Sequence, residues 1–374
     1  MEPLCQDKNR IAIVGGGPAG IYCALNLLKK FKEISYEKFV IHIFDKGQVL
    51  RTILPTGNGR CNITNSICDI REFASNYPRG EKFLYSLFSR HFNYDSLEFF
   101  KEIGINTYTQ DDGRVFPISN SAKEVKDLML EKIFEHKKCY LKHKEIIDVS
   151  MLENYSHVIF ATGSNINSSL LDSLKHPYIP FRKALCSLVV ENFNFPQGVS
   201  ISTKDGDFVF TQNGISGPLA FKISSIKAFD KFPYEVEINL FDENKLYELI
   251  QKYPTKSIGN LVSMLLPRSF AKSFVKEFDK NSCEISKTRV KELSKLKLKI
   301  IGTSASGEIV KAGGIDLNCL DKNCHSKINN KFWFCGELLN IDGFCGGFNL
   351  QNCWSSASVV ANDVFENIIN KSGN

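Results

Sequence analysis

Residues 10–20, Arg10-Ile-Ala-Ile-Val14-Gly15-Gly-Gly-Pro-Ala-Gly20, decide how the rest of the chain is read. Positions 10–14 form a short β-branched apolar run. Positions 21–31 set Ile21, Ala24, Leu25 and Leu28 on one face of a helix. Between strand and helix, Gly15, Gly17 and Gly20 stand as Gly-x-Gly-x-x-Gly. The first glycine permits the tight turn, the second lets a pyrophosphate approach the backbone, and the third lets helix and strand pack closely. The helix start adds free N–H groups and the positive end of its dipole. Positions 39–44 (FVIHIF) read as a second strand, and Asp45 closes it, 25 residues past Gly20. That is near the ~20-residue spacing of the acid that holds a ribose. A carboxylate there can accept both ribose hydroxyls and would repel a 2′-phosphate. The stretch is therefore a dinucleotide-binding βαβ unit.

Working outward, 121–136 reads as a helix, and 145–149 and 157–160 as strands. Composition then changes. Strand-like pieces at 188–190, 208–210 and 234–240 precede a helical, Lys-rich stretch over 243–298. Phe332-Trp-Phe334 again resembles a core strand, and 350–369 a C-terminal helix. The expected architecture is α/β: a Rossmann domain in two parts, 1–185 and 311–374, interrupted by an α+β insert, 186–310.

The chain has 374 residues, 43% hydrophobic and 24% charged, which sets aside disordered and collagen-like classes. No stretch reaches the ~18–20 uncharged apolar residues of a membrane span. The first ten residues carry Glu2, Asp7, Lys8 and Arg10 without an apolar core, unlike a signal peptide. None of the 12 cysteines forms Cys-x-x-Cys, so reduced thiols in a soluble, cytoplasmic protein are expected. A net charge of +6 permits an anionic ligand without requiring nucleic acid.

Three further segments bear on which dinucleotide is bound. Thr56-Gly-Asn-Gly-Arg-Cys-Asn-Ile-Thr-Asn65 is a glycine-rich loop with one cation and a cluster of amides and hydroxyls. Ala161-Thr-Gly163 follows a strand. Cys335-Gly-Glu337 follows another and leads through Asp342-Gly-Phe-Cys-Gly-Gly-Phe-Asn-Leu-Gln351 into the last helix. A helix start at Asn349, with the N–H groups of Leu350 and Gln351 aimed at a flavin's pyrimidine edge, would favour the charge of reduced flavin. In this reading Gly346 and Gly347 leave room for the ring.

These residues carry a resemblance that runs essentially end to end. With Gly-Arg-Val-Phe-Pro at 113–117, Gly-Ile-Ser-Gly-Pro at 214–218 and Ala-Gly-Gly-Ile at 312–315, the sequence resembles the FAD-dependent oxidoreductases of the aminoacetone-oxidase-like family, which includes 3-dehydro-bile-acid reductase flavoenzymes. The resemblance implies a glutathione-reductase-like FAD domain split by an insert that is part β-barrel-like and part helical. It implies FAD contacts at Gly15, Gly17, Ala19, Gly20, Asp45, Arg60, Cys61, Asn62 and Thr64, with Ile146 beside the adenine. It adds Ala161, Thr162, Gly163, Gly336, Glu337, Gly347, Asn349, Leu350 and Gln351. Gln212, Cys345 and Phe348 stand where the family commonly has His, Thr and Tyr.

The function expected is hydride transfer between a small organic substrate and the flavin, with NAD(P)H as a transient co-substrate or O2 as second partner. A lone Gly-x-Gly-x-x-Gly leaves no dedicated nicotinamide domain, and substrate is expected in the cleft between insert and FAD domain. The alternative is an FAD-binding RNA-modification or assembly factor, supported only by the Lys-rich run at 287–299, a pattern that more often is a solvated face. The seven histidines show no metal-ligand spacing, and His42 reads as a core histidine. Cys335, Cys345 and Cys353 read as buried, inert thiols.

Overall fold

In the computed structural model, which describes residues 9–275, 286–304 and 310–372, the glycine turn joins β1 (Asn9–Val14) to a helix, Pro18–Glu33. Proline in the first turn costs that helix nothing, because its missing N–H would have had no partner there. The helix leads to β2 (Phe39–Asp45), which pairs in parallel with β1 from Asn9↔Phe39 to Val14↔Phe44. Next come β3 (Thr64–Asn65), β4 (Thr107–Thr109) and β5 (Arg114–Pro117), a small antiparallel sheet in the order β3-β5-β4. β6 (Cys139–His143) and β7 (His157–Phe160) return to the main sheet. The chain leaves through β8 (Tyr178–Ala184).

The insert contains β9 (Leu188–Val190), β10 (Ser200–Thr203), β11 (Gly206–Phe210), β12 (Gly214–Ser216), β13 (Tyr234–Asn239) and β14 (Lys295–Thr303). The chain returns through β15 (Val310–Ile315), which pairs with β8, and ends with β16 (Phe332–Phe334) and a long helix, Phe348–Ser372. The main sheet is parallel throughout, in the order β16-β7-β1-β2-β6. β7 and the edge strand β16 are buried on both faces, which explains why Val158-Ile-Phe160 and Phe332-Trp-Phe334 are continuous apolar runs rather than alternating ones. The first and last helices cover the sheet together, with Tyr22 and Trp354 ring centroids 5.0 Å apart.

The chain divides into one unit of 1–181 with 311–374 and a second of 182–310, so the first crossing lies four residues before the expected 185/186. Each has its own apolar core. In the second unit the strands run β10-β11-β12-β9-β14-β13, with β10 and β13 at the edges. Among the described residues this is an open sheet, where a barrel-like piece was expected.

Two other expectations are corrected. Positions 145–149 are not a strand: the edge strand is β6, and Asp148 caps a short 3-10 turn at Val149–Leu152 by accepting from Ser150 N–H. The helical stretch expected to reach Leu298 stops at Leu293, and Lys295–Thr303 is strand. Its Lys-Leu alternation has the period of two that puts Leu296, Leu298 and Ile300 inside and the lysines outside. Positions 276–285 of that stretch lie outside the described residues. No described helix is long and apolar enough to cross a membrane.

Candidate functional site

The carboxyl ends of β1, β2, β7 and β16 bring the expected segments to one end of the parallel sheet, where ligands of open α/β folds bind. The three glycines have separate physical reasons. Gly15 has φ +110°, and a Cβ there would lie 2.3 Å from the Ala161 carbonyl oxygen. Gly20 has no room either, since a Cβ would sit 1.9 Å from Gly15 O. Gly17, at the N-cap of the first helix, has ordinary backbone angles and no protein atom within 4 Å of where a Cβ would be. Open space therefore faces the helix start. Ala19 is buried behind it, in the place that a Cβ on Gly336 would strike at 2.7 Å.

Asp45 accepts from Gly16 N–H through one oxygen (2.7 Å) and from Gly47 N–H through the other (2.8 Å). A carboxylate has about four acceptor positions, so two remain for outside hydroxyls. Thr162 and Gly163 follow β7, and Gly163 has φ +64° with nothing near its Cβ position. Ile146 is buried in the loop after β6.

The 56–65 loop is built to hold its shape. Cys61 N–H donates to Thr56 O, and burial pushes the Cys61 thiol up to about 12. Arg60 donates to Gly57 O and lies over the Phe116 ring at 4.1 Å. Asn62, oriented so that both ends of its amide are satisfied, accepts from Gly347 N–H and donates to Thr64 O and Val115 O. Thr64 is fully buried and donates to Gln351 Oε1 at 2.7 Å.

The last helix differs from the expectation in three ways. It begins at Phe348, so Asn349 is inside the first turn rather than the N-cap, and its side chain both accepts from Gly343 N–H and donates to Gly343 O. Gln351 N–H is taken by Gly347 O (3.0 Å), and its side chain joins Thr64, Ser96 and Ser355 in a buried network. The N–H groups of Phe348, Asn349 and Leu350 are the ones that a helix start leaves without an intrahelical partner. Gly347 makes room for protein: at φ +91°, its Cβ would lie 2.4 Å from Thr64 O.

Glu337, half-buried in a 3-10 turn after β16, has its carboxyl pushed up to about 7 by burial and by the charge of Asp342. Asp342 in turn is buried and takes both prongs of the Arg79 guanidinium through Nε and Nη2. Asn352 Oδ1, on a fully buried residue whose amide nitrogen faces Gly336 O, has no hydrogen-bond partner among the described residues. Cys335 and Cys353 are buried, with thiols far above their ordinary range, so neither is poised as a nucleophile; Cys345, expected to be buried with them, is exposed on the loop before the last helix. Arg79, Ser96 and the network role of Gln351 escaped sequence reading. Pro78-Arg-Gly80 reads only as a turn, and nothing local pairs it with a carboxylate 263 positions away. Among the described residues no His, Cys, Asp and Glu side chains group as a metal site.

Comparison with known proteins fits this frame. Residues 9–363 match the HI0933-like protein Rossmann domain. The chain is 26% identical over 404 residues to the ribosomal RNA dihydrouridine synthase of Haemophilus influenzae, covering 93% of this chain and 96% of that protein. It is 25% identical over 406 residues to the 3-dehydro-bile acid delta(4,6)-reductase of Clostridium scindens, covering 93% and 97%. The crystal structure of 3-ketosteroid delta1-dehydrogenase from Sterolibacterium denitrificans superposes with a TM-score of 0.51 at 9% identity, covering 96% of this chain and 100% of that one, a likeness of fold alone. The chain belongs to the HI0933-like protein Rossmann domain family, and its fold is the FAD-binding Rossmann type of flavoprotein oxidoreductases.

Proposed function

We propose that the chain is an FAD-dependent oxidoreductase that reduces a carbon–carbon double bond conjugated to a carbonyl, with NAD(P)H as the source of hydride. The observation that carries the cofactor is the helix start at Gly17, where a Cβ would meet no protein atom while those of Gly15 and Gly20 would strike backbone. A diphosphate fits that space and that dipole. Asp45 would hold the ribose with its two remaining acceptor positions. The Asn352 oxygen and the Glu337 carboxyl would face the middle of the molecule, and Phe348, Asn349 and Leu350 would turn their N–H groups to the flavin's pyrimidine edge. FAD itself supplies hydride chemistry at N5, and the protein supplies position and electrostatics. Donors fixed before reaction need no reorganisation when charge develops opposite them.

The substrate class follows from what two relatives' names have in common. A dihydrouridine synthase saturates the ring double bond of uracil, which is conjugated to a carbonyl, and a 3-dehydro-bile acid Δ(4,6)-reductase removes double bonds conjugated to a ketone. The polarised carbon that accepts hydride is the same in kind. The ten described cysteines form no disulfide with one another, which goes with a reducing, cytoplasmic setting where reduced nicotinamide is supplied. The test is direct. Denaturation should release FAD, the bound flavin should bleach with NADH or NADPH in the absence of air, and a cyclic enone should restore its colour faster than O2 does. Release of FMN, or colour restored by O2 alone, would sink the reading.

A second reading keeps the chemistry and changes the carrier of the double bond to a uracil base within RNA. It is favoured by charge: the insert, 182–310, holds 19 Lys and Arg against 14 Asp and Glu, five of the chain's net +6. The β14 lysines contribute less than their number suggests, because Lys295 pairs with Glu237 and Lys299 with Glu191. RNA binding that falls steeply as salt rises would support it, since phosphate contacts release counterions.

A further inference from the structure

The loop between Glu337 and the last helix is tied at its two ends to Ile315 and to Asn62 and Asn65, and through its middle to one short segment, Asn76 to Gly80. Arg79 and Asp342 form an isolated antiparallel bridge through their backbones and a two-pronged ion pair through their side chains. Phe344 N–H donates to Asn76 O at 2.9 Å, and the Tyr77 hydroxyl donates to Phe348 O at 2.5 Å. A Cβ on Gly80 would lie 2.5 Å from Ile341 Cγ1, and one on Gly343 3.0 Å from the Tyr77 ring. A buried ion pair is a costly tie, since desolvating both charges commonly offsets their attraction, and apolar replacements are often as stable. Its presence next to Glu337, at the end of the loop that delivers Gly347 and the helix start, points to a task other than stability.

We propose that Arg79 is a positioning residue for the cofactor: acting through Asp342, it fixes the 341–347 loop, and with it the start of the last helix and the charge that Glu337 faces. The inference rests on the reading that this site holds FAD. Among the described residues the groups around Glu337 are few. Asp342 faces it from the following loop with Arg79 behind, the Cys353 thiol faces it from the last helix and is held neutral, and the amino end of the first helix lies beyond Ala19. Asp342 raises the Glu337 carboxyl, and the two-pronged pairing with Arg79 holds Asp342 in place. Glu337 therefore changes charge near neutral pH, close to where a diphosphate-bearing cofactor is held.

Four FAD-loaded proteins test this: wild type, Arg79→Met with Asp342→Leu, Arg79→Lys, and Glu337→Gln. The dissociation constant for FAD is followed by flavin fluorescence across neutral pH, and each protein's melting temperature is recorded. Wild type should bind FAD more weakly as pH rises above about 7, by up to tenfold per unit for one proton, and Glu337→Gln should lose that dependence. The apolar pair should fold normally, bind FAD several-fold more weakly at neutral pH, and show its pH midpoint moved down, because the charge of Asp342 is gone. Arg79→Lys keeps charge but loses the fork. It should weaken FAD at an unmoved midpoint and serves if the double variant does not fold. Wild-type FAD affinity at every pH in a folded Arg79 variant would overturn the proposal. A wild type that carries no FAD would overturn the cofactor reading, and this one with it.

Discussion

Gly17 and Gly20 are three positions apart and should fail in opposite ways. Gly17 has φ −77° and ψ −172°, angles open to any residue, and its Cβ direction is empty of protein. Gly17→Val should therefore leave unfolding free energy within about 1 kcal/mol of wild type and abolish FAD binding, giving a folded, colourless protein. Gly20→Ala drives a Cβ to 1.9 Å from Gly15 O. It should cost about 1–3 kcal/mol or more, seen in urea melts. A destabilised Gly17 variant that retains flavin would reverse the assignment. Two buried histidines make a further prediction. Burial lowers His91, which bonds Tyr22 and Ser96, and His157, which bonds Asn367, from 6.5 to about 4. Their neutral forms are the ones the fold accepts, so the stability they confer is complete above pH 6.5 and is lost as pH falls toward about 4. The loss should be on the order of 2–3 kcal/mol for each histidine. Melting temperature against pH should fall over that window in wild type and less in a His91→Gln, His157→Gln double variant.

At the scale of elements, the βαβ unit was legible because each of its parts carries a local signal: β-branched strand, glycine turn, apolar helical face, acid at the strand end. The candidate site was legible only as a set of segments that the strand ends gather at one end of the sheet. What local signals could not supply was which neighbour each residue serves. Gly347 looks like a glycine making space for a ligand, and it makes space for Thr64, a residue 283 positions earlier. Gln351 looks like a cofactor contact, and its amide instead ties β3 to the Ser96 helix (Asn93–Glu102) and to Ser355. The small β3-β5-β4 sheet went unseen because two-to-four-residue strands carry no periodicity. These long-range partners imply that the start of the last helix is rigidly referenced to the 56–65 loop. Gly347→Val should collide with Thr64, tilt the helix start and lower both FAD affinity and flavin midpoint potential, because the N–H donors at residues 348–350 would no longer face developing charge. Unchanged potential at full occupancy would place those donors elsewhere.

For the whole molecule, the decisive feature is two cores that share no residue. One runs from Ile11 to Ile368 through the parallel sheet, and the other from Leu188 to Ile300 within the insert. Units with separate cores and few crossings of the chain are candidates for independent folding. The crossings here are two, made where β8 and β15 pair, and Gly313 lies so close to its partner strand that a Cβ would sit 2.7 Å from Pro180 O. The backbone on either side of the insert is therefore already held together within the first unit. A Gly/Ser linker of about six residues reaches roughly 12–15 Å, enough to join 181 to 311 across such a pair. The shortened protein should fold, stay yellow and release FAD on denaturation, because every residue assigned to the cofactor lies in 9–181 or 311–372. It should also lose the charge excess of 182–310, so any salt-sensitive RNA binding should disappear while FAD affinity stays. RNA binding retained without the insert would move the nucleic-acid surface to the Rossmann unit, and a shortened protein that is soluble but colourless would show that the insert takes part in holding FAD.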